Sequence, residues 1–288
     1  MIAIVGATGN TGRAAAKELM DLGESPLCVV RNPDKAREIL GERARIAVAE
    51  VTDRPALEKA FQGVQSVFVV TGHNPQSDEQ QINILEAAKA AGVRFFVKVS
   101  GGRAVVGPDA ESIVGRGHHR VEEAMKQSGL GWVILRPGLF MQNTLTQAAV
   151  IKSDSKMVLP FPADVPIAFI DTRDSGALGA RVARDAGKHA GKTYEYTGVR
   201  SSFGEFAKAF SEVLGRPISY VSVSLEQAQQ TLKARGLPDW LVAHQLAVAR
   251  VAANGGFSTE NTQPILDILG RPPRTIKQFI EDHRAAFS

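Results

Sequence analysis

Short, almost wholly apolar runs alternate with longer amphipathic stretches through the first half of this chain. Ile2–Val5, Leu27–Val30, Ile46–Ala49, Ser66–Val70, Phe95–Val99 and Trp132–Leu135 are the apolar runs. Their lack of in-out alternation is the signature of strands covered on both faces in a parallel sheet. Between them lie stretches with helical spacing: Ala14, Ala15, Ala16, Leu19, Met20 and Leu22 on one side of the first, then Pro33–Leu40, a helix opening near Arg54-Pro55, Glu79–Ala91 closed by Gly92, and Arg120–Ser128. A βα unit repeated in this way predicts an α/β fold, a Rossmann-type doubly wound parallel sheet with right-handed crossovers.

Past residue 150 the pattern loosens. Pro160, Pro162 and Pro166 interrupt it, Ile167–Ile170 and Tyr194–Tyr196 read as strands returning to the sheet or its edge, and helices near 204–214, 225–235 and 240–252 predict a smaller, mainly helical cap. The expected division is a sheet domain over residues 1–150 and a substrate-binding cap over 151–288. No internal repeat or low-complexity tract occurs.

Composition narrows the class. With 288 residues of which 44% are hydrophobic, the chain can bury a sizeable core. The net charge of +4 is spread among acids, as in Asp34-Lys35-Ala36-Arg37-Glu38, so no basic stripe for nucleic acid stands out. Cys28 is the single cysteine and lies in an apolar run, which excludes an intrachain disulfide and a multi-cysteine metal centre. No H-E-x-x-H or G-x-S-x-G occurs, so metalloprotease and α/β-hydrolase chemistry fall away, and no bound metal is expected. No leader or membrane-spanning run is visible, and a cytoplasmic location is expected.

The chemistry is concentrated where strands end, because an open parallel sheet binds its ligands beyond the carboxyl ends of its strands. After the first strand comes Gly6-Ala-Thr8-Gly9-Asn10-Thr11-Gly12, a turn into a helix. Glycines there let the chain bend sharply and let phosphate oxygens reach the amides at the positive end of the helix dipole. The second strand ends in Arg31-Asn32, with no acid to accept a ribose 2′-hydroxyl. A guanidinium suits a 2′-phosphate, with Arg13 and Lys35 as helpers, so the expected cofactor is NADP(H), with NAD(H) less preferred. Asp53 reads as a helix cap or an adenine contact, and Thr71, Gly72, Ser100 and Gly101 follow the strands that would border the nicotinamide.

Four segments carry a family resemblance: Gly6–Gly12, Arg31-Asn-Pro-Asp-Lys35, Ala87–Val93 and Arg136-Pro-Gly-Leu-Phe-Met-Gln-Asn143. Together they resemble the NmrA-like branch of the atypical short-chain dehydrogenases, and within it the flavin-free NAD(P)H azoreductases and NAD(P)H:quinone reductases, with triarylmethane-dye reductases as relatives. The resemblance implies hydride transfer from NADPH to an azo or quinoid aromatic, without flavin. It equally admits a dinucleotide-sensing regulator without turnover. The expected partner is a small aromatic molecule rather than a nucleic acid or membrane, and the expected state is monomer or homodimer.

The chain lacks the Tyr-x-x-x-Lys pair of ordinary short-chain dehydrogenases: four residues beyond Tyr194, Tyr196 and Tyr220 stand Gly198, Arg200 and Ser224. The proton must come from elsewhere. His118 and His119 are expected just ahead of the Arg120 helix, either as a proton donor or as solvated helix-start histidines. His118 is preferred because the resemblance sets it at a histidine position of a related quinone reductase. Ser100 can bond the reacting group or cap its turn. Phe140 and Met141, with Asn143 as a polar anchor, and Phe161 and Trp240 from the cap are candidate substrate walls, each with simple core packing as the alternative. Lys98 shares a strand face with Ser100, and its charge is expected to snorkel to solvent.

Overall fold

Apolar runs this short can satisfy their backbone only by pairing edge to edge, and the computed structural model, which describes residues 1–288, pairs them in parallel. The chain begins with β1 (Ile2–Val5), α1 (Asn10–Asp21), β2 (Leu27–Val30), α2 (Pro33–Leu40), β3 (Arg45–Val48) and α3 (Arg54–Ala60). It continues through β4 (Ser66–Val69), α4 (Ser77–Ala90), β5 (Phe95–Val99), α5 (Ile113–Gln127) and β6 (Gly131–Pro137). Beyond these come β7 (Leu139–Phe140), α6 (Ala148–Asp154), β8 (Lys156–Leu159), β9 (Ile167–Ile170), α7 (Thr172–Arg184), α8 (Ala186–His189) and β10 (Lys192–Tyr196).

These strands build a seven-stranded sheet in the order β10-β6-β5-β4-β1-β2-β3, every pair parallel. The fold is the expected doubly wound Rossmann type. The strand order reverses between β1 and β4, which opens the crevice in which such sheets bind ligands. One face buries Val97, Val99 and Phe68 under α1 and α7; the other buries Phe96 and Val67 under α3, α4 and α5. Cys28 is fully buried in β2, which pushes its thiol up to about 12.

The last part contains β11 (Val199–Ser201), α9 (Phe203–Leu214), β12 (Ser219–Ser222), α10 (Leu225–Ala234), α11 (Asp239–Ala253), α12 (Gln263–Leu269), α13 (Ile276–Asp282) and α14 (Arg284–Phe287). Two expectations about this half need restating. Of the two returning strands, β10 takes the edge of the main sheet beside β6, whereas β9 sits between β7 and β11 in a separate three-stranded sheet. Residues 172–196 also go back to the sheet layer, since α7 packs along α1. The cap has its own core, built on Phe169, Phe203, Phe206, Phe210 and Phe279. No helix is long and apolar enough to cross a membrane.

The helix expected over Arg120–Ser128 begins seven residues earlier, at Ile113, so His118 and His119 lie within α5 and not ahead of it. Ser112 caps it, its hydroxyl accepting from Val114 N–H. Gly115 and Gly117 weaken the helix signal in the sequence. Gly115 is nonetheless required, because a Cβ there would lie 2.0 Å from the Val105 carbonyl oxygen.

Candidate functional site

The loop after β1 is shaped by two of its glycines and left open by the third. Gly6 has φ +89°, and a Cβ on it would stand 1.9 Å from the Val70 carbonyl oxygen; one on Gly12 would stand 2.1 Å from the Gly6 carbonyl oxygen. Gly9 differs. A Cβ there would meet only the Gly6 carbonyl oxygen at 3.5 Å, so the backbone faces open space. Gly9 opens α1 with no side-chain cap, and the first turn holds no acid. The Asn10, Thr11 and Gly12 amides therefore stay free for an anion, as a pyrophosphate requires. Thr8, Gly9 and Asn10 are exposed around it.

Arg31 lies exposed at the carboxyl end of β2, with Lys35 exposed one turn into α2. Asp53 caps α3, its carboxylate accepting from Ala56 N–H at 3.0 Å. Thr71 follows β4 and accepts from Gln81 Nε2 at 2.9 Å, and Gly72 beside it is exposed. A dinucleotide laid over the switch point would pass these residues and end at the tip of β5, by Ser100 and Gly101.

There a cavity of about 600 Å³ opens between the sheet and the cap. That is the size range of small-molecule sites. Ser100, Gly101, His118, Phe140, Asn143 and Phe161 all reach it. Two expected wall residues do not. Met141 is fully buried in the cap core, where the turn after β7 points it. From α11 the cavity receives Leu241, His244, Gln245 and Val248. Trp240, at the start of α11 and half-buried, is not among the residues that line it.

Behind the Ser100 edge lies a buried polar cluster. Period two along β5 aims Lys98 and Ser100 at α5, while the turn of α5 puts His118 and Glu122 on one face. Ser100 Oγ donates to Glu122 Oε1 at 2.6 Å, and Arg136 grips Glu122 from β6 with Nε at 3.1 Å and Nη2 at 2.5 Å. Burial would raise the Glu122 carboxyl, but the Arg136 and Ser100 hydrogen bonds and the nearby cations hold it below its usual range. The Ser100 proton is thus committed to Glu122, leaving its oxygen as an acceptor.

Lys98 does not snorkel. It is fully buried, with Nζ 2.8 Å from His118 Nδ1 and 3.3 Å from the Val99 carbonyl oxygen. Burial pushes the amine down to about 7, with Glu122 holding it up and Arg136 pushing it lower. His118 is held well below its ordinary value by burial first, then by Lys98, His73 and His244. It is a neutral imidazole near pH 7. Whenever Lys98 is an ammonium, which has no lone pair, the contact makes Nδ1 the acceptor and leaves the ring proton on Nε2. His73 packs edge-on to both His118 and His244, with ring centroids 5.5 and 5.2 Å apart, and Ser112 Oγ lies 2.7 Å from His244 Nδ1. No group of three metal-ligating side chains is poised to hold an ion.

None of the three tyrosines reaches this place. Tyr194 pairs with His189, Tyr196 is buried against Ser175, and Tyr220 donates to the Phe161 carbonyl oxygen. His119, one residue from His118, is turned about 100° around α5 and does not line the cavity. Lys98, Glu122, His73 and His244 complete the site without having been singled out as functional. Glu122 could have been found from its i+4 spacing to His118. His73 and His244 had no local signal, coming from a loop and from a helix more than a hundred residues away.

A model of the NmrA-like family matches residues 1–263. The NAD(P)H azoreductase of Xenophilus azovorans is 32% identical over 288 residues, covering 100% of this chain and 99% of that one. A reductase of (4-alkanoyl-5-oxo-2,5-dihydrofuran-3-yl)methyl phosphate from Streptomyces griseus is 32% identical over 289 residues, with 100% and 99% coverage. In three dimensions the NADPH-dependent quinone oxidoreductase of Escherichia coli, crystallised with NADPH, superimposes with a TM-score of 0.87 at 28% identity, covering 99% of this chain and 100% of that one.

Proposed function

The chain belongs to the NmrA-like family and is an NAD(P)H-dependent oxidoreductase, and we propose that it passes hydride directly from NADPH to azo or related quinoid aromatic acceptors held in the cavity at the end of β5. The observation that carries this reading is that an open glycine loop follows β1 at the switch point while a large cavity lined by Ser100 and His118 opens at the carboxyl end of β5 of the same sheet. Relatives that reduce azo, dihydrofuranone and quinone compounds support the common chemistry: each acceptor is a conjugated, electron-poor π-system.

In this mechanism the loop amides of Asn10, Thr11 and Gly12 take the pyrophosphate, and Arg31, with Lys35 and Arg13, takes the 2′-phosphate. The bound nicotinamide supplies the hydride. Phe140 and Phe161 hold an aromatic acceptor by its faces, and Asn143 offers a polar anchor at the exposed side. Ser100, fixed by Glu122 and Arg136, sets the floor at the end of β5. His118 presents Nε2–H to the nitrogen or oxygen that becomes anionic when hydride arrives, and gives it the proton.

The deciding experiment follows NADPH absorbance while azo dyes, quinones and unsaturated lactones are offered in turn. Steady, acceptor-dependent consumption by colourless, flavin-free protein is expected. Tight NADPH binding with no consumption across the panel would replace this reading with a dinucleotide-sensing role.

A further inference from the structure

We infer that Lys98 is the proton store behind His118, recharging the imidazole from inside the protein as the imidazole protonates the reduced acceptor. The inference rests on the reductase reading and adds to it a residue that never touches the acceptor.

The first support is the cost of placing an amine there. Lys98 sits among Phe96, Val97 and Val99 in a central strand, fully buried, where an apolar side chain would pack at less cost. Nor does an ion pair account for it. Glu122, the nearest acid, turns its carboxylate to Arg136 and Ser100, and Lys98 is left with one imidazole nitrogen and one carbonyl oxygen as partners. A buried titratable group with so little structural return marks a functional position.

The second support is geometry. His118 lines the cavity and Lys98 does not, so Lys98 can act only through His118. The 2.8 Å contact runs to Nδ1, so while Lys98 is charged the ring proton sits on Nε2, the other nitrogen of a residue that lines the cavity. Such a ring can pass a proton without ever carrying two. Hydride addition leaves an electron pair and a negative charge on a nitrogen or oxygen of the acceptor. The Nε2–H bond breaks and that atom takes the proton, while Nδ1 takes a proton from the Lys98 ammonium. Lys98 ends as a neutral amine, and His118 stays neutral with its tautomer reversed. Water then returns a proton to Nε2, and the Nδ1 proton goes back to Lys98.

This path explains why a histidine so hard to protonate can serve as the donor: burial, Lys98, His73 and His244 oppose an imidazolium, and none is formed. Around Lys98 the charged and titratable groups are Glu122 and His118 on α5, Arg136 on β6, His73 after β4 and His244 on α11. Burial brings the Lys98 titration down to about 7, with Glu122 favouring the ammonium and Arg136 opposing it.

The test compares Lys98→Gln and Lys98→Met with the parent protein, reading kcat and KM for a saturating quinone or azo acceptor from pH 5.5 to 9, together with NADPH affinity. Glutamine can still donate a hydrogen bond to Nδ1 but cannot give up its proton; methionine does neither. In the parent, kcat is expected to fall as pH rises through about 7. Both variants are expected to lose that limb and roughly tenfold to a thousandfold in kcat at low pH, with KM and NADPH affinity nearly unchanged. A Lys98→Gln protein with parental kcat and pH profile would reduce Lys98 to a packing or orienting role and overturn the inference. A parent protein that consumes no NADPH with any acceptor would instead fell the reductase reading, and this inference with it. Should the variants fail to fold, nitrogen NMR of the parent decides: Nδ1 protonated at pH 6, where Lys98 is charged, would overturn the relay.

Discussion

In the proposed site Arg31 is the residue on which cofactor choice would turn, since β2 ends in a cation where an acid would accept a ribose hydroxyl. Arg31→Ala is expected to weaken NADPH about tenfold to a hundredfold, the loss of charge-assisted bonds of about 1.5–3 kcal/mol, and to leave NADH nearly unaffected. Calorimetric titration of the two dinucleotides checks this, and equal weakening would remove Arg31 from the 2′-phosphate. Lys98 gives a second test, on stability. Folding lowers its pKa from 10.5 to about 7, so between those values the unfolded chain holds a proton that the folded chain lacks. Through this residue stability rises with pH across that window, and the full cost of burial is present below about pH 7. Lys98→Met should therefore melt above the parent at pH 6, by roughly 1–3 kcal/mol of stability, with the gain shrinking toward pH 10. A lower melting point at pH 6 would mean that the bond to His118 outweighs the desolvation. The sequence revealed the position of Lys98 and its shared face with Ser100; it did not reveal that α5 would close over that face and leave no path to solvent.

At the scale of elements, the amino end of α1, proposed to take the pyrophosphate, packs against α7. A Cβ on Gly176 would lie 2.4 Å from the Thr11 carbonyl oxygen and 2.7 Å from Ala14 Cβ, so the two helices touch backbone to backbone. Gly176→Val is expected to pry them apart, cost about 1–3 kcal/mol of stability, and weaken NADPH because Thr11 belongs to the turn that faces the pyrophosphate. Thermal melts and NADPH titration read the two effects, and an unchanged affinity would show that the α1 end is positioned by its own loop. The strands and helices of the first half were legible because period two, period 3.6 and the glycine turns agree there. The start of α5 was not legible, since Gly115 and Gly117 read as loop although Val105 leaves no room for a side chain at Gly115. That difference matters to the site: inside α5, His118 shares a face with Glu122, which no reading of His118 ahead of the helix would give. Likewise β9 is as apolar as any strand of the main sheet, and only tertiary pairing with β7 and β11 assigns it to the cap.

For the whole molecule, if acceptors bind in the cavity as proposed, its charge would set which of them fit. Its lining includes no aspartate or glutamate; its polar groups are imidazoles, hydroxyls and amides, with Arg235 at the end of α10 as the one full cation. His118 is held neutral, and the ammonium of Lys98 stands just behind the wall. A cationic dye entering this space would lose its hydration and find no counter-charge, whereas a neutral quinone loses little and an anionic dye gains Arg235. Neutral and anionic acceptors are therefore expected to surpass triarylmethane cations of similar size by at least about tenfold in kcat/KM, which corresponds to only about 1.4 kcal/mol of differential binding. The advantage of anionic over neutral acceptors should shrink with added salt, because Arg235 is exposed, and should largely vanish in Arg235→Gln. The preference for neutral over cationic acceptors should survive both changes, since it comes from desolvation within the cavity rather than from a screened surface charge. Steady-state rates for a matched quinone, an azo sulfonate and a triarylmethane dye at low and high ionic strength separate these contributions. Equal kcat/KM for the cationic dye would mean that an acid from outside the cavity swings in to meet it, and the electrostatic account of acceptor choice would fall.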